Sequence, residues 1–182
     1  LELLIISGVP LYLLAAFVEQ TVNGQSIFVS VRSKGRRHLM KSILLVSIKF
    51  LMVYAIFWLM AGLIGASLFS TGLTIVSFRF LLYAVLMKCL DILAQYLIML
   101  GIYIATRQVT IGFLVLVAGN LLCVLPGNWV AYSPFGLSSL TRISVVEPGI
   151  GISAVSAFGI EAAILTLMIA RILMCGYKKI LN

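Results

Sequence analysis

The sequence predicts an all-α integral membrane protein, a polytopic helix bundle that forms a single transmembrane domain over residues 1–182. Hydrophobic residues make up 63% of the 182 residues and charged residues only 10%, with a mean hydropathy of +1.21. A soluble domain is only about half apolar. Several apolar runs also approach the length of about 20 residues that crosses a hydrocarbon core of roughly 30 Å as a helix. These runs are apolar on every side, so they lack the alternation of barrel strands.

Five apolar runs follow one another along the chain, and each is predicted to form a membrane helix. They cover residues 1–18, 43–65, 80–105, 109–125 and 150–174, and the fourth is short. The first run carries Glu2 and has no basic residues before its apolar stretch. Because a signal peptide begins with a positively charged region, we interpret this run as a membrane span.

Lys and Arg are distributed unevenly between the connections, and this predicts the orientation. The connection before the second run holds five basic residues, Arg107 follows the third run, and two lysines follow the last. The other two connections carry only Arg79 and Arg142. Because cytoplasmic loops are enriched in Lys and Arg, the C-terminus is expected in the cytoplasm. The five visible spans then begin outside and end inside. For both ends of the chain to lie in the cytoplasm the number of spans must be even, so we expect one more helix before Leu1 and six in the full chain.

Residues 19–42, EQTVNGQSIFVSVRSKGRRHLMKS, are predicted to form a cytoplasmic amphipathic segment. Ile27, Phe28 and Val31 have helical spacing and lie opposite polar residues, until Gly35 ends the pattern. Such a helix would lie at the inner membrane surface, with its basic residues on anionic headgroups. The basic residues flank apolar runs, so we expect membrane lipids as partners and no nucleic acid. The segment is either an interfacial anchor alone or also the docking site of a cytosolic partner.

A few polar side chains interrupt the apolar runs, and each is costly at that depth. Lys88, Asp91 and Gln95 follow one another by three and four positions, so they share one face of the third helix. Asn120 lies in the fourth run and Glu161 near the middle of the last. One interpretation is structural, with Lys88 paired to Asp91 or to Glu161. The alternative is that this set lines a transport path or an interface between two subunits.

Residues 126–149 form a connection that is longer than a turn requires, and we expect it outside the cell as a re-entrant or interfacial segment. Trp and Tyr prefer the headgroup level, so the connection is expected to return to the membrane. Ser133 followed by Pro134 is typical of the start of a short helix. A plain surface loop is the alternative. The residues that mark this segment are Pro126, Trp129, Tyr132 and Pro134.

The sequence offers little for an enzyme or a metal site. His38 is the only histidine, and Cys89, Cys123 and Cys175 lie in or beside separate apolar runs without C-x-x-C spacing. Neither an H-E-x-x-H zinc motif nor a paired acidic motif occurs. We therefore expect a protein that is not an enzyme and that holds no metal or cofactor of its own.

Two stretches of this chain resemble a known family. VRSKGRRHLMKSILLVSIKFL is similar to the intracellular connection and the start of the third helix in type-2 ABC exporter permeases, the ABC-2 family. More narrowly, it resembles the Gram-positive type linked to lantibiotic, bacteriocin and antimicrobial-peptide transport or immunity. LPGNWVAYSPFGLSSLTRI resembles their extracellular turn between the fifth and sixth helices. The likeness covers nearly the whole chain and lies in its architecture and loosely matched motifs.

The resemblance implies a permease subunit that exports a peptide or amphipathic substrate across the bacterial plasma membrane. ATP and Mg would be bound by a separate cytosolic ABC ATPase, since this chain has no G-x-x-x-x-G-K-[ST] loop. The permease would pair with a second copy or a paralogue. Residues 126–149 would form an extracellular gate, and the residues expected to couple to the ATPase are Ile27, Phe28, Val31, Arg32, Arg36 and Arg37.

Two alternatives remain. A membrane-embedded immunity or scaffold protein would bind a bacteriocin without transporting it. A membrane peptidase that processes peptides is the less favoured alternative. In the membrane cysteine peptidases that trim quorum-sensing peptides, the nucleophilic cysteine follows the histidine within a few residues. Here Cys89 lies far from His38 in the sequence.

Overall fold

A computed structural model describes residues 2–24, 36–69, 75–123, 132–133, 135 and 152–176 of the chain. Within this part of the chain the protein is all-helical with five helices, so the predicted fold class is confirmed at that level. The helices are α1 (Glu2–Gly24), α2 (Arg36–Phe69), α3 (Ile75–Thr106), α4 (Val109–Leu122) and α5 (Ala154–Arg171), and a π-helical turn (Ile172–Gly176) follows α5 directly.

Three of the described helices are long and apolar enough to cross a membrane, which is the property expected of an integral membrane protein. The three spans are Met40–Leu68 in α2, Phe78–Thr106 in α3, and Ala154–Met174, which includes α5. Two shorter apolar helices accompany them, Ile6–Val22 within α1 and the whole of α4. With a rise of 1.5 Å per residue, the 14 residues of α4 extend about 21 Å, less than the roughly 30 Å of a hydrocarbon core.

The first two helices extend further toward their connection than the predicted spans. α1 continues to Gly24, and α2 begins at Arg36, about two turns before the predicted start at Ile43. Arg, Leu, Met and Lys are good helix formers, and no glycine or proline interrupts residues 36–42. The end of the predicted cytoplasmic segment is therefore the beginning of α2.

The helices alternate in direction, so α1, α3 and α5 run one way and α2 and α4 the other. Four contacts between helices support these directions. In each contact, the two residues lie a similar number of helical turns from the same end of the bundle. These pairs are Tyr54 with Ile6, Gly62 with Leu81, Asn120 with Gln95, and Gly101 with Met168.

The central helix is α3, which contacts each of the other four. Of the 18-residue apolar stretch of α3, 50% is buried, against 22% in the corresponding stretches of α2 and of the last span. Its core face carries Tyr96, Leu97 and Leu100, whereas Phe57 of α2 and Leu167 of α5 are exposed and suited to contact lipid. Because lipid tails are as apolar as leucine, burial of apolar side chains drives helix association only weakly. Close packing and hydrogen bonds must hold the bundle together.

Two neutral hydrogen bonds connect α1, α2 and α3. Pro10 lies inside α1, and its missing N–H leaves the carbonyl of Ile6 without a helical donor. Tyr54 Oη of α2 donates to this carbonyl at 2.6 Å. Nearer the other end of α2, the buried hydroxyls of Ser47 and Tyr96 form a 2.8 Å hydrogen bond between α2 and α3.

A turn of two residues, Arg107 and Gln108, joins α3 to α4. Arg107 has a φ of 62°, and its N–H donates to the Tyr103 carbonyl at 2.8 Å, which is the geometry of a left-handed helix cap. For a residue other than glycine this conformation costs about 1 kcal/mol. Beyond the turn, a Cβ added at Gly112 would lie 3.2 Å from the Met99 carbonyl oxygen. The glycine therefore allows the backbones of α3 and α4 to approach closely.

The helix ends differ in charge at the two ends of the bundle. We call the basic end the one where α1, α3 and α5 finish and where α2 and α4 begin. The described basic residues within about two turns of this end are Arg36, Arg37, Lys41, Arg107 and Arg171. Near the opposite end, Arg79 is the basic residue within the described part of the chain.

Candidate functional site

A buried polar cluster lies midway along α3, where Lys88, Asp91 and Gln95 share one face. Lys88 Nζ lies 3.4 Å from Asp91 Oδ2, and Gln95 Nε2 donates to Asp91 Oδ1 at 2.8 Å. Asp91 and Gln95 are fully buried, and the Lys88 side chain is 21% exposed. Spacings of three and four residues place these groups together on a helix. Asp91 is therefore compensated from its own helix by an ammonium group and an amide.

Asn120 extends this cluster from α3 to α4. Its Nδ2 donates to Gln95 Oε1 at 3.1 Å and to the Leu116 carbonyl at 2.8 Å. Its Oδ1 is buried and accepts no hydrogen bond from the described residues. Gln95 thus connects the Asp91 carboxylate to the Asn120 amide.

Glu161 approaches the same stretch of α3 from α5. Its side chain is fully buried, and neither carboxyl oxygen accepts a hydrogen bond from the described residues. It lies close enough to Asp91 for the two carboxyl groups to interact electrostatically. Of the two pairings predicted for Lys88, the structure shows the one with Asp91. Glu161 is left beside a second carboxylate.

Asp91 and Glu161 are both acidic and fully buried, but their environments differ. Removing a carboxylate from water costs several kcal/mol unless an opposite charge and hydrogen bonds compensate it. Asp91 has both kinds of compensation from Lys88 and Gln95. Glu161 has no hydrogen bond among the described residues. Because proteins seldom leave a buried polar group unsatisfied, Glu161 is the strongest candidate functional residue of the cluster.

The C-terminal end of α4 lies beside this cluster, because the helix ends within one turn of Asn120. Phe135 packs directly on this end: a Cβ added at Gly119 would lie 2.7 Å from its ring. Cys123 Sγ lies 3.6 Å from Ser133 Oγ, and Ser133 Oγ accepts a hydrogen bond of 3.4 Å from the Phe135 N–H. The chain after α4 therefore returns to cover the C-terminal end of this helix. In transporters, half-length helices that end at membrane depth frame ion and substrate sites.

Most of the residues expected to couple to an ATPase are not described. Arg36 and Arg37 are the first two residues of α2 at the basic end, but their side chains lie outside the described part. His38 and Lys41 follow in the same turns and are exposed. The other expected coupling residues, Ile27, Phe28, Val31 and Arg32, lie outside the described residues.

The expected extracellular gate is described only in part. Tyr132 is 63% exposed, and the bond from the Phe135 N–H to Ser133 Oγ is the kind that a helix cap forms. Pro126, Trp129 and Pro134 lie outside the described residues, as does the short helix predicted to follow Ser133.

Sequence reasoning missed two buried features at the site. The first is the contact of Phe135 with Gly119. The sequence signal for it is the glycine next to Asn120 in an apolar run, because small residues allow close packing in membrane helices. Tyr83 of α3 packs against the small buried cluster of Met87 and Ala157 between α3 and α5, and its hydroxyl is buried without a partner among the described residues. No pattern in the sequence distinguishes this tyrosine from one that faces lipid.

The described side chains do not form a transition-metal site, because no three His, Cys, Asp or Glu residues among them come together. The described residues form a helical bundle with a buried charged site midway along α3, one of the helices that are long and apolar enough to cross a membrane. In comparisons with protein-family models, with curated proteins and with solved structures, this chain matches none of them. The function is therefore proposed from the geometry of the chain itself.

Proposed function

We propose that this chain is the permease subunit of a type-2 ABC exporter in the bacterial plasma membrane. It would move a peptide or another amphipathic substrate, as the antimicrobial-peptide and bacteriocin transport or immunity systems do. A separate cytosolic ATPase would bind ATP and Mg, and a second permease copy or a paralogue would complete the transporter. The observation that carries this proposal is the charge difference between the two ends of the bundle.

The charge difference supports an orientation with the basic end in the cytosol. Five described basic residues lie at the helix termini of one end, and cytoplasmic segments of membrane proteins are enriched in Lys and Arg. The C-terminus, which follows the last span at this end, would then be cytoplasmic. A cytosolic ATPase could reach the beginning of α2 in this orientation.

The shape of α2 supports a coupling role. The helix has 34 residues without a proline, so it extends about 51 Å from the basic end to the opposite end. Because α2 is continuous, a displacement of its first turn at Arg36 would tilt the whole helix. Tyr54 would pass this movement to α1, and Ser47 would pass it to α3, through the two interhelical hydrogen bonds. Coupling requires such an element whose position both ends can bias.

The buried cluster supports a role within the membrane path or at the interface with a second permease subunit. Glu161 and Asn120 present oxygens that lack partners among the described residues. Polar groups at this depth are costly, and transporters retain them mainly where they meet cargo, ions or another subunit. Phe135, which covers the outer end of α4, would separate the cluster from the extracellular side as part of the proposed gate.

Topology is the first test, because the proposal fails if the basic end is extracellular. His38 is exposed at the basic end, and Tyr132 is exposed in the outer segment. We expect His38→Cys, in a background whose native cysteines are replaced by alanine, to resist a membrane-impermeant maleimide in intact cells. Tyr132→Cys should react. Labelling of His38→Cys in intact cells would contradict the proposed orientation.

Association with an ATPase is the second test. The tagged full chain is purified from the membranes of its native host, and retained ATP hydrolysis is measured. We expect the double variant Arg36→Glu, Arg37→Glu to reduce this activity about tenfold or more, because charge reversal at an interface costs several kcal/mol. Arg79→Glu makes a similar change at the opposite end and should have no effect.

Two outcomes would redirect the proposal. If the wild-type chain inserts with the expected topology but retains no ATP hydrolysis, the chain would be a membrane protein that binds its ligand without transport. If the double variant retains the activity but loses export into inverted vesicles, the basic residues would couple the two subunits without holding them together.

A further inference from the structure

We propose that Glu161, Asn120 and Asp91 bind one alkali metal cation between α5, α4 and α3. This site goes beyond the export function and does not depend on it. Three buried oxygens carry the proposal, the two of the Glu161 carboxyl group and Oδ1 of Asn120, which accept no hydrogen bond from the described residues. All three are acceptors, so a cation can compensate them and another acceptor cannot.

The contacts on α3 bring these oxygens toward one place. Asn120 bonds to Gln95, and Gln95 bonds to Asp91, one turn earlier on the same face. Glu161 interacts electrostatically with that same Asp91. Two helices therefore bring residues with unsatisfied oxygens to a single turn of α3. A carboxylate oxygen has more than one lone pair, so Asp91 can contact a cation while it keeps its bonds to Lys88 and Gln95.

The charge of the cluster favours a monovalent ion. Among the described side chains, Lys88 contributes one positive charge, and Asp91 and Glu161 contribute one negative charge each. One monovalent cation makes this set neutral, whereas a divalent cation would leave a net positive charge at membrane depth.

The number of oxygens favours an alkali ion over a proton. A single proton lies between two oxygens, so a proton on Glu161 would leave at least one of the three unsatisfied oxygens without a partner. An alkali ion contacts several oxygens at once. The position also fits, because α4 ends within one turn of Asn120 and a helix C-terminus carries partial negative charge. Half-helix C-termini at membrane depth bind cations in transporters.

The test is the thermal unfolding of the purified full chain in detergent, in sodium, potassium or N-methyl-D-glucamine chloride at equal ionic strength. We expect at least one alkali ion to raise the unfolding midpoint of the wild-type chain by about 5 °C relative to N-methyl-D-glucamine. Glu161→Gln should abolish this rise. Glu19→Gln, which changes an exposed glutamate in the same way, should preserve it. Asn120→Ala should shift the alkali-ion dependence to about tenfold higher concentration.

Several results would overturn the proposal. One is an equal alkali-ion response in the wild type and in Glu161→Gln, and another is no response in the wild type. A midpoint that rises only on acidification would mean that a proton occupies the cluster. If Glu161→Gln fails to fold, equilibrium binding of radioactive sodium and potassium to the wild-type chain decides, and no saturable binding of either would refute the site.

Discussion

The contacts around α3 are built in two different ways. α1 is joined to α2, and α2 to α3, through neutral groups, Tyr54 with the Ile6 carbonyl and Ser47 with Tyr96, and we call these contacts the neutral side. α4 and α5 each approach α3 at a charged cluster around Asp91, and we call these contacts the charged side. The two sides also differ in which buried atoms lack hydrogen-bond partners.

On the neutral side, the buried atoms without partners among the described residues are Ser7 Oγ and Trp58 Nε1. A neutral group left in this state costs about 1–3 kcal/mol. On the charged side, Asn120 Oδ1, Tyr83 Oη and both oxygens of the Glu161 carboxyl group are in this state, and an ionised group such as Glu161 costs considerably more than a neutral one. The neutral side therefore has the properties of contacts that hold helices together. The charged side has the properties of a site that binds a ligand or a partner.

The largest expected effect is on the compensated acid of the charged side. Asp91→Leu removes the carboxylate that contacts Lys88 and accepts from Gln95, and both are left at membrane depth. We expect a loss of about 3–5 kcal/mol in the free energy of unfolding, measured by denaturant titration in micelles. Asp91→Asn retains an acceptor for Gln95 and should lose less. Equal stability of Asp91→Leu and the wild type would show that this ion pair is not structural.

The uncompensated acid should respond with the opposite sign. Glu161→Leu removes a buried carboxylate that has no hydrogen bond among the described residues. In buffer whose only cation is N-methyl-D-glucamine, we expect stability to rise by about 1–4 kcal/mol, as when buried charges are replaced by apolar residues. Folded yield and export are measured on the same variant. Loss of export from a well-folded protein would support a functional role, whereas loss of folded yield would make Glu161 a structural residue and remove the contrast with Asp91.

Two tyrosines allow a matched test of the neutral hydrogen bond that Tyr54 donates. Tyr54→Phe removes the donor to the Ile6 carbonyl, which Pro10 leaves without a helical partner. We expect a loss of about 1–2 kcal/mol in unfolding free energy. Tyr83→Phe removes a buried hydroxyl that has no partner among the described residues, and it should be neutral or slightly stabilising. Similar effects from the two substitutions would show that the hydrogen bond of Tyr54 does not matter.

The smallest effect is the coupling between Ser47 and Tyr96. A double-mutant cycle with Ser47→Ala and Tyr96→Phe should give an interaction energy of about 0.6 kcal/mol, typical of hydrogen bonds between membrane helices. Measurement requires that both single variants remain folded. A coupling energy near zero would mean that packing alone joins α2 to α3 at this depth.

Local patterns predicted some features of the site well and others not at all. The face shared by Lys88, Asp91 and Gln95 follows from the helical repeat alone, because residues three and four positions apart lie side by side. Asn120 and Glu161 stood out as polar residues in apolar runs. Their partners did not, because a one-dimensional pattern does not say which neighbouring helix faces Gln95 or whether Lys88 lies nearer to Asp91 or to Glu161.

The long apolar runs determined by themselves that the chain is helical and suited to a membrane, since an unpaired backbone is too costly in hydrocarbon for other open structures. The uneven distribution of Lys and Arg likewise distinguished the two ends. Only the tertiary structure decided that Tyr54 donates to the carbonyl that Pro10 leaves without a helical donor, that Phe135 covers Gly119, and that Glu161 is buried without a hydrogen bond among the described residues. These features depend on which helices are neighbours and how they are rotated, and that information belongs to packing between distant segments.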